Sequence, residues 1–303
     1  MPVRVPDLSD FSTIDCGDEI TLGERRFRIT GFEKERRFGL DDPKFWVKRA
    51  VDVDTGERKL LKFAFFETYY TTVGGVRIRC FRNPEKESMI LEQMKDHSLF
   101  MQGTSFRDDR ENNVRVLDIV RGTNFFVKIG NIAMDHRTYF ETRLPDILSR
   151  LARAFGAIRS LHLNGLRHGD IRNDHIIVEH KTGNYVWIDF DFDYDAPENP
   201  FSLDLIGMGN ILLYALGKGF HEIYHIASDP GYYGDLIDRI DANDFSLLDK
   251  SRFMNLKKIY PYIPEGLNDI LMHFSLGTQV FYETIDEFLE DLNNSIAGFC
   301  LTL

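Results

Sequence analysis

The residue pattern changes near position 134, and this change limits the folds that the chain can adopt. Before that point, three segments are rich in β-branched and aromatic residues, at 25–34, 45–53 and 58–66. After it, two segments carry apolar residues at helical spacings of three and four, at 145–165 and 202–217. The sequence therefore predicts an α+β protein in which an antiparallel sheet precedes a mainly helical part.

Shorter signals add detail to this division. Asn83 and Pro84 are a typical helix start, and the residues after them predict a helix over 83–97 with Met89, Ile90 and Met94 near one face. We expect further strands at 114–122 and 124–130, and a hairpin of two short strands, HIIVEH and NYVWIDF, joined by KTGN. Two more helices are expected at about 264–275 and 284–296.

Composition excludes several classes of function. The net charge is −11, with 48 acidic and 37 basic residues, which disfavours a general nucleic-acid binder or a protein bound to anionic membranes. We find no apolar run long enough to span a membrane and no signal-like N terminus, so we expect a cytoplasmic protein. The three cysteines are odd in number and far apart, which is typical of incidental thiols.

One polar motif stands out. RHGDIRNDHI (167–176) follows the long amphipathic segment directly, and VWIDFDFDY (186–194) follows soon after. The alternating aspartates from Asp189 onward do not form a calcium loop, because the sixth and twelfth positions lack the required glycine and glutamate. We interpret Asp193 and Asp195 as solvated loop charges, and His162 and His180 as surface or packing residues.

Five elements occur in the order and at about the spacing of the protein-kinase signature set: KLLKF (59–63), EKESMILEQM (85–94), LHLNGLRHGDIRNDHIIV (161–178), VWIDFD (186–191) and LDLIGMGNILLYAL (203–216). The chain resembles the protein kinase-like fold. The resemblance implies one bilobal domain, with an N-terminal extension over 1–24, a sheet-plus-helix N-lobe over 25–133 and a helical C-lobe over 134–303.

The resemblance also assigns roles. Lys62 matches the lysine that holds the α and β phosphates of ATP, and Glu87 matches its partner on the helix. Asp170 matches the catalytic aspartate that orients the acceptor hydroxyl, and Arg172 stands where Ser/Thr-type enzymes have a phosphate-contacting lysine. Each of these residues taken alone could be an ordinary surface charge or a turn cap.

Metal binding is implied for two residues. Asp189 matches the metal-binding aspartate, and His175 stands where most kinases have a metal-binding asparagine. Imidazole is a softer ligand than an amide oxygen and suits Mn²⁺ better than Mg²⁺. In having a histidine at this position, the chain is similar to the lipopolysaccharide-core kinases. His168 is expected to pack beneath the loop, and Asp204 to hydrogen-bond the loop backbone.

The chain also departs from the family pattern. Only Gly39 stands where three glycines would let backbone amides approach phosphate. Gly169 replaces an arginine and DFD replaces DFG, and in these two motifs the chain is similar to aminoglycoside and choline kinases. The stretch 190–203 is short and leaves little room for peptide docking. Regulation by phosphorylation within this stretch is not expected.

Three hypotheses follow from the sequence. The first is an ATP-dependent kinase that uses Mg²⁺ or Mn²⁺ and phosphorylates a hydroxyl of a Ser/Thr protein or a small molecule. The second is a pseudokinase, a nucleotide-binding or scaffold module without turnover, suggested by the absent glycine loop and His175. The third is a protein without a nucleotide site, which requires the matches at Lys62, Glu87, Asp170 and Asp189 to be accidental.

Overall fold

The computed structural model describes residues 8–37, 40–196 and 198–302. The strands are β1 Glu19–Leu22, β2 Arg25–Arg37, β3 Leu40–Asp52, β4 Arg58–Phe63, β5 Thr68–Val73, β6 Val76–Arg82, β7 Gly103–Arg107, β8 Asn113–Asp118, β9 Gly122–Asn124, β10 Ile176–Glu179, β11 Tyr185–Trp187 and β12 Phe192–Tyr194. The helices are α1 Pro84–Gln93, α2 Phe125–Gly130, α3 His136–Thr142, α4 Leu144–Leu163, α5 Ser202–Gly217, α6 Ile223–Ser228, α7 Pro230–Tyr233, α8 Glu265–Met272 and α9 Ile285–Thr302. This mixture of an antiparallel sheet and several helices is compatible with the α+β class.

The contacts divide the chain into two compact units. The first comprises residues up to Thr68 together with Phe81–Arg121, and the second comprises Tyr69–Cys80 together with Gly122–Leu303. The second unit therefore includes a short piece of chain, Tyr69–Cys80, from the middle of the first. Within the described part of the chain, no helix is both long and apolar enough to cross a membrane.

A six-stranded antiparallel sheet forms the first unit, in the order β1-β2-β3-β4-β8-β7. Alternate residues of these strands point to one buried face, which contains Phe27, Ile29, Leu61 and Phe63. Ile14, from the expected N-terminal extension, is buried in the same core, and β1 pairs with β2. Residues 8–24 are therefore part of the first unit.

Helix α1 begins as the sequence predicts. The Asn83 side chain accepts a hydrogen bond from the backbone N–H of Lys86, and Pro84 occupies the first turn. Ile90 and Met94 are buried, but Met89 is 45% exposed, so the prediction that Met89 shares their face is wrong. Successive residues lie about 100° apart around a helix, which turns Met89 away from the buried stripe.

The strand predicted at 124–130 is largely a helix. β9 ends at Asn124, whose side chain accepts a hydrogen bond from the Val127 backbone N–H at 2.8 Å and caps α2. Phe125 and Ile129 lie one helical turn apart and are buried. The β-branched and aromatic composition suggested a strand, but the cap and this i, i+4 apolar pair favour a short helix.

Helices dominate the second unit. α4 buries residues at spacings of three and four, and it packs against α5 and α9. α5 is buried on nearly all sides, and a Cβ at Gly207 would lie 2.6 Å from the Ile171 carbonyl oxygen. Glycine at this position lets α5 approach the loop that follows α4, which positions the polar motif.

Two small sheets complete the second unit. The predicted hairpin is present, because β10 pairs antiparallel with β11, and β9 joins on the other side. The other sheet has the order β12-β6-β5. Its strands β5 and β6 were not predicted as strands from the sequence.

Candidate functional site

Lys62 and Glu87 form a buried ion pair in the first unit. Lys62 Nζ lies 3.0 Å from Glu87 Oε1, and neither side chain is more than 4% exposed. β4 places Lys62 next to its last residue, and α1 places Glu87 in its first turn. The predicted ion pair is thus present, while its role toward a nucleotide remains a hypothesis.

Arg115 is a second cation on Glu87, which the sequence analysis did not identify. Its Nε donates to Glu87 Oε2 at 3.0 Å, and its side chain is fully buried. Lys62 and Arg115 are directly opposite each other in the β4–β8 register. The available signal was an arginine between Val114 and Val116 in a strand, because a buried guanidinium requires an acidic partner. We call Lys62, Glu87 and Arg115 the cation cluster.

In the second unit, Asp204 organises the loop that follows α4. Its carboxylate accepts hydrogen bonds from the backbone N–H groups of His168 and Gly169, both at 2.8 Å. His162 Nε2 lies 3.0 Å from the same carboxylate. Full burial opposes ionisation, but the hydrogen bond from His162 and these backbone donors lower the pKa of Asp204. The predicted contact between Asp204 and the loop backbone is confirmed, and His162 is an additional buried partner.

His168 is fully buried below this loop, as expected for a packing role. Its ring makes edge-to-face contacts with Trp187 and Phe190, with centroids 5.2 Å and 5.1 Å away. The Asp170 backbone N–H donates to His168 Nδ1 at 3.3 Å. These contacts hold the loop around Asp170.

His175 lies between the two predicted catalytic and metal-binding aspartates. Its Nδ1 is 2.8 Å from the backbone carbonyl of Asp170 and 3.5 Å from Asp170 Oδ2. Its Nε2 is 3.7 Å from Asp189 Oδ2. The structure therefore brings Asp170, His175 and Asp189 together.

The hydrogen bond to the Asp170 carbonyl determines the tautomer of His175. A carbonyl oxygen can only accept, so Nδ1 carries the proton. In the neutral ring, Nε2 then has a free lone pair, and it faces the Asp189 carboxylate. A neutral ring and the Asp189 carboxylate would thus be two facing acceptors, which either a shared proton or a metal ion can bridge.

Asp189 has an unusual backbone conformation that fits this arrangement. Its φ is +68°, in the left-handed region that a residue with a side chain rarely adopts. The backbone N–H of the preceding residue, Ile188, donates to the His175 carbonyl at 3.0 Å, and this hydrogen bond connects the segment to the loop. We infer that the fold holds Asp189 in this strained conformation so that its carboxylate faces His175.

Arg172 is engaged with acidic neighbours. Its Nε donates to Asp174 Oδ1 at 3.0 Å, and its guanidinium lies 3.8 Å from Asp170 Oδ2. Burial opposes ionisation of Asp174, but the hydrogen bonds from Arg172 lower its pKa to about 2. Burial raises the pKa of Asp170, and the Asp189 carboxylate adds to this effect. We call Asp170, Arg172, Asp174, His175 and Asp189 the carboxylate cluster.

His175 and Asp189 are the two candidate metal ligands in the carboxylate cluster. Neighbouring ligand atoms around Mg²⁺ at its usual bond lengths lie about 3 Å apart, so the 3.7 Å between His175 Nε2 and Asp189 Oδ2 would have to shorten for both to bind one ion. Across the described ranges, we find no group of three or more His, Cys, Asp or Glu arranged to hold a metal. Phosphate oxygens and water would have to supply the other ligands, as is common for Mg²⁺ beside nucleotides.

Two predictions about individual residues need comment. Asp193 is not a solvated loop charge: its side chain is only 14% exposed and pairs with Arg167, because the short β12 segment turns it inward. Asp195 is exposed and pairs with Arg79. Gly39, the expected phosphate-loop glycine, lies outside the described residues.

Comparisons with known proteins do not add a name to this site. We find no protein-family model that matches the chain and no curated protein that matches it. The function is therefore inferred from the two clusters and the motifs that form them.

Proposed function

We propose that this protein is an ATP-dependent phosphotransferase of the protein kinase-like fold, which moves the γ-phosphate of ATP to a hydroxyl acceptor. The observation that carries the proposal is the position of His175, whose Nε2 lies 3.7 Å from Asp189 Oδ2 while its Nδ1–H donates to the Asp170 backbone carbonyl. Such a pair of ligands next to a carboxylate suited to general base catalysis is typical of phosphoryl-transfer sites.

The cation cluster supports a role in nucleotide binding. It brings two positive charges, those of Lys62 and Arg115, to the Glu87 carboxylate, and positive charge of this kind attracts phosphate. Glu87 holds both cations by separate oxygens, which keeps the Lys62 ammonium in one position. In this proposal Lys62 contacts the α and β phosphates, and Arg115 positions Glu87.

Asp170 is proposed to accept the proton of the acceptor hydroxyl. As that oxygen forms its bond to the γ-phosphorus, the bond from phosphorus to the β,γ-bridging oxygen breaks, giving ADP and a phosphate monoester. The proton of the hydroxyl passes to the Asp170 carboxylate and then to solvent. Burial and the neighbouring Asp189 raise the pKa of Asp170, which makes this carboxylate a stronger base than an exposed one.

Asp189 and His175 are the proposed ligands of Mg²⁺ or Mn²⁺, and the ion would supply neutralising charge at the phosphate oxygens. The nitrogen ligand favours Mn²⁺ relative to an oxygen ligand. Arg172 would contact the transferred phosphate. Its guanidinium is 37% exposed, so it can exchange Asp174 for a phosphate group as its partner.

The test is phosphate transfer from γ-labelled ATP by the purified full chain, with Mg²⁺ or Mn²⁺, to protein, peptide, small-molecule hydroxyl compounds and water. We expect Asp170→Asn to lower the rate by about 10²–10⁴, because the proton acceptor is lost. The matched control is Asp146→Asn, because the Asp146 side chain is 68% exposed and pairs with Arg150 on the surface of α4.

Label transfer that is equal in wild type and Asp170→Asn would contradict this role. ATP-dependent thermal stabilisation without transfer to any acceptor, water included, would instead support a pseudokinase that binds nucleotide without turnover.

A further inference from the structure

The β5–β6 hairpin is anchored beside the carboxylate cluster. β6 joins β12, which begins three residues after Asp189. The Asp195 N–H donates to the Arg79 carbonyl at 2.9 Å, and the side chains of these two residues form an ion pair at 3.2 Å. The hairpin and the segment after Asp189 are therefore parts of one small sheet.

An apolar core also holds the hairpin in place. Val73, Ile78 and Cys80 of the hairpin are buried together with Tyr194 of β12 and Leu247. Because of these contacts the hairpin belongs to the second unit, although it lies in sequence between β4 and α1.

Tyr69 of β5 combines an aromatic ring and a hydroxyl group with partial exposure to solvent. Its ring makes an edge-to-face contact with Phe192, with centroids 5.6 Å apart, and the residue remains 42% exposed. Burial raises the pKa of Tyr69, and so do the Asp170 carboxylate and a hydrogen bond with Cys80. Arg172 acts on Tyr69 in the opposite direction. The ring contact with Phe192 and the pairing of β6 with β12 place Tyr69 beside the segment that follows Asp189.

We propose that the β5–β6 hairpin forms one wall of the acceptor subsite, and that Tyr69 positions the hydroxyl of a small polyhydroxylated acceptor beside Asp170. This inference rests on the proposed phosphotransferase function. A tyrosine ring offers an apolar face and a hydroxyl, while Asp170 accepts a hydrogen bond, and this combination suits a sugar or polyol.

A peptide acceptor is less well matched to this wall. β12, which follows Asp189, pairs with β6, so the edge of β12 that faces β6 is already occupied and cannot pair with an extended peptide. The stretch 190–203 that follows Asp189 is short and partly committed to the sheet. Peptide phosphorylation is therefore the outcome that opposes the proposal.

The test compares wild type with Tyr69→Phe and Tyr69→Ala in transfer from γ-labelled ATP. The probe acceptors are a panel of sugars, sugar acids, polyols, amino alcohols and aminoglycosides, with a mixture of Ser/Thr peptides and water alongside. For the preferred small acceptor, we expect kcat/KM to fall at least tenfold in Tyr69→Phe and further in Tyr69→Ala, with the KM for ATP unchanged. The split between the two substrates separates positioning from a general structural loss.

Tyr70→Phe is the matched control. Tyr70 is the next residue of the same strand, so its side chain points to the other face, where Arg77 lies over its ring at 4.0 Å. We expect this variant to keep the wild-type kcat/KM.

The outcomes separate this inference from the proposed function. Transfer by wild type with less than a twofold effect of both Tyr69 variants would overturn the inference alone. So would transfer only to peptide or water, or a parallel loss for acceptor and ATP. No transfer by wild type to any probe would reject the phosphotransferase function, and the acceptor subsite with it.

Discussion

The cation cluster and the carboxylate cluster are opposite solutions to the placement of charge. In the first, two cations share one carboxylate, and every side chain is nearly or fully buried. In the second, three carboxylates stand with one guanidinium and a histidine, and Asp170 and Asp189 remain 15% and 16% exposed. The first cluster has a surplus of positive charge and the second a surplus of negative charge.

This difference separates structural from chemical roles. Glu87 neutralises buried positive charge, so its loss removes the carboxylate that Lys62 and Arg115 share in the protein interior. Asp189 is 16% exposed and raises the pKa of the neighbouring Asp170, so its loss removes one of several carboxylates that lie close together. The two clusters should therefore respond to different extents when a carboxylate is removed.

The largest expected effect on stability is that of Glu87→Gln. The neutral amide cannot neutralise either buried cation, and its NH₂ group points a donor at one of them, so we expect a loss of about 3–5 kcal/mol in the free energy of unfolding. Denaturant titration of the full chain measures it. The control is Glu85→Gln, whose exposed carboxylate pairs with Arg107 and should contribute less than about 1 kcal/mol.

Asp189→Asn tests the other side of the comparison in the same titration. We expect a smaller loss of stability than for Glu87→Gln, because Asp189 is partly exposed and lies close to the Asp170 carboxylate. A loss as large as that of Glu87→Gln would show that the two clusters do not differ as their charges suggest.

Acid should weaken the second unit before the first. Burial lowers the pKa of His136 and His221 to about 4, below the value near 6.5 that an unfolded chain has. The unfolded state therefore binds more protons between these values, so stability falls as the pH drops from about 6.5 towards 4. At pH 5 the loss is about 2 kcal/mol for each histidine.

The first unit has no matching loss in this range at Asp52. Hydrogen bonds from Arg25 lower the pKa of Asp52 to about 2, so its contribution is lost only as the pH falls from about 3.8 towards 2. Hydrogen exchange at pH 7 and pH 5, measured relative to the intrinsic amide exchange rate at each pH, should show a larger increase in relative exchange at pH 5 for peptides of α3 than for those of β2. Equal increases, or an unchanged pH dependence in His136→Gln, would contradict this expectation.

The smallest expected effect concerns metal preference. His175→Asn replaces the nitrogen ligand by an oxygen ligand, and we expect the ratio of Mn²⁺ to Mg²⁺ affinity to fall about tenfold. Electron paramagnetic resonance of Mn²⁺ binding measures this without turnover. His180→Asn is the control, because His180 is exposed and contacts Thr123. Identical Mn²⁺ binding by wild type and His175→Asn would exclude His175 as a ligand.

Much of the local structure could be predicted from sequence because it depends on local patterns. The amphipathic spacing of α4 and α5, the Asn83 cap and the β10–β11 hairpin are properties of neighbouring residues. The failures are of the same local kind. Short segments carry weak patterns, and α2 and the β5–β6 hairpin were missed for that reason.

For the two clusters, the sequence by itself supplied the candidate residues: Lys62, Glu87, Asp170, His175 and Asp189 all come from the resemblance to the kinase signature. Only the tertiary structure decided how their charges are balanced. Strand register placed Arg115 opposite Lys62, a backbone carbonyl selected the tautomer of His175, and sheet pairing brought the hairpin to β12. The first and third of these contacts join residues far apart in sequence, and the second depends on the folded geometry of the loop, so all three depend on packing and hydrogen-bond geometry that no local pattern contains.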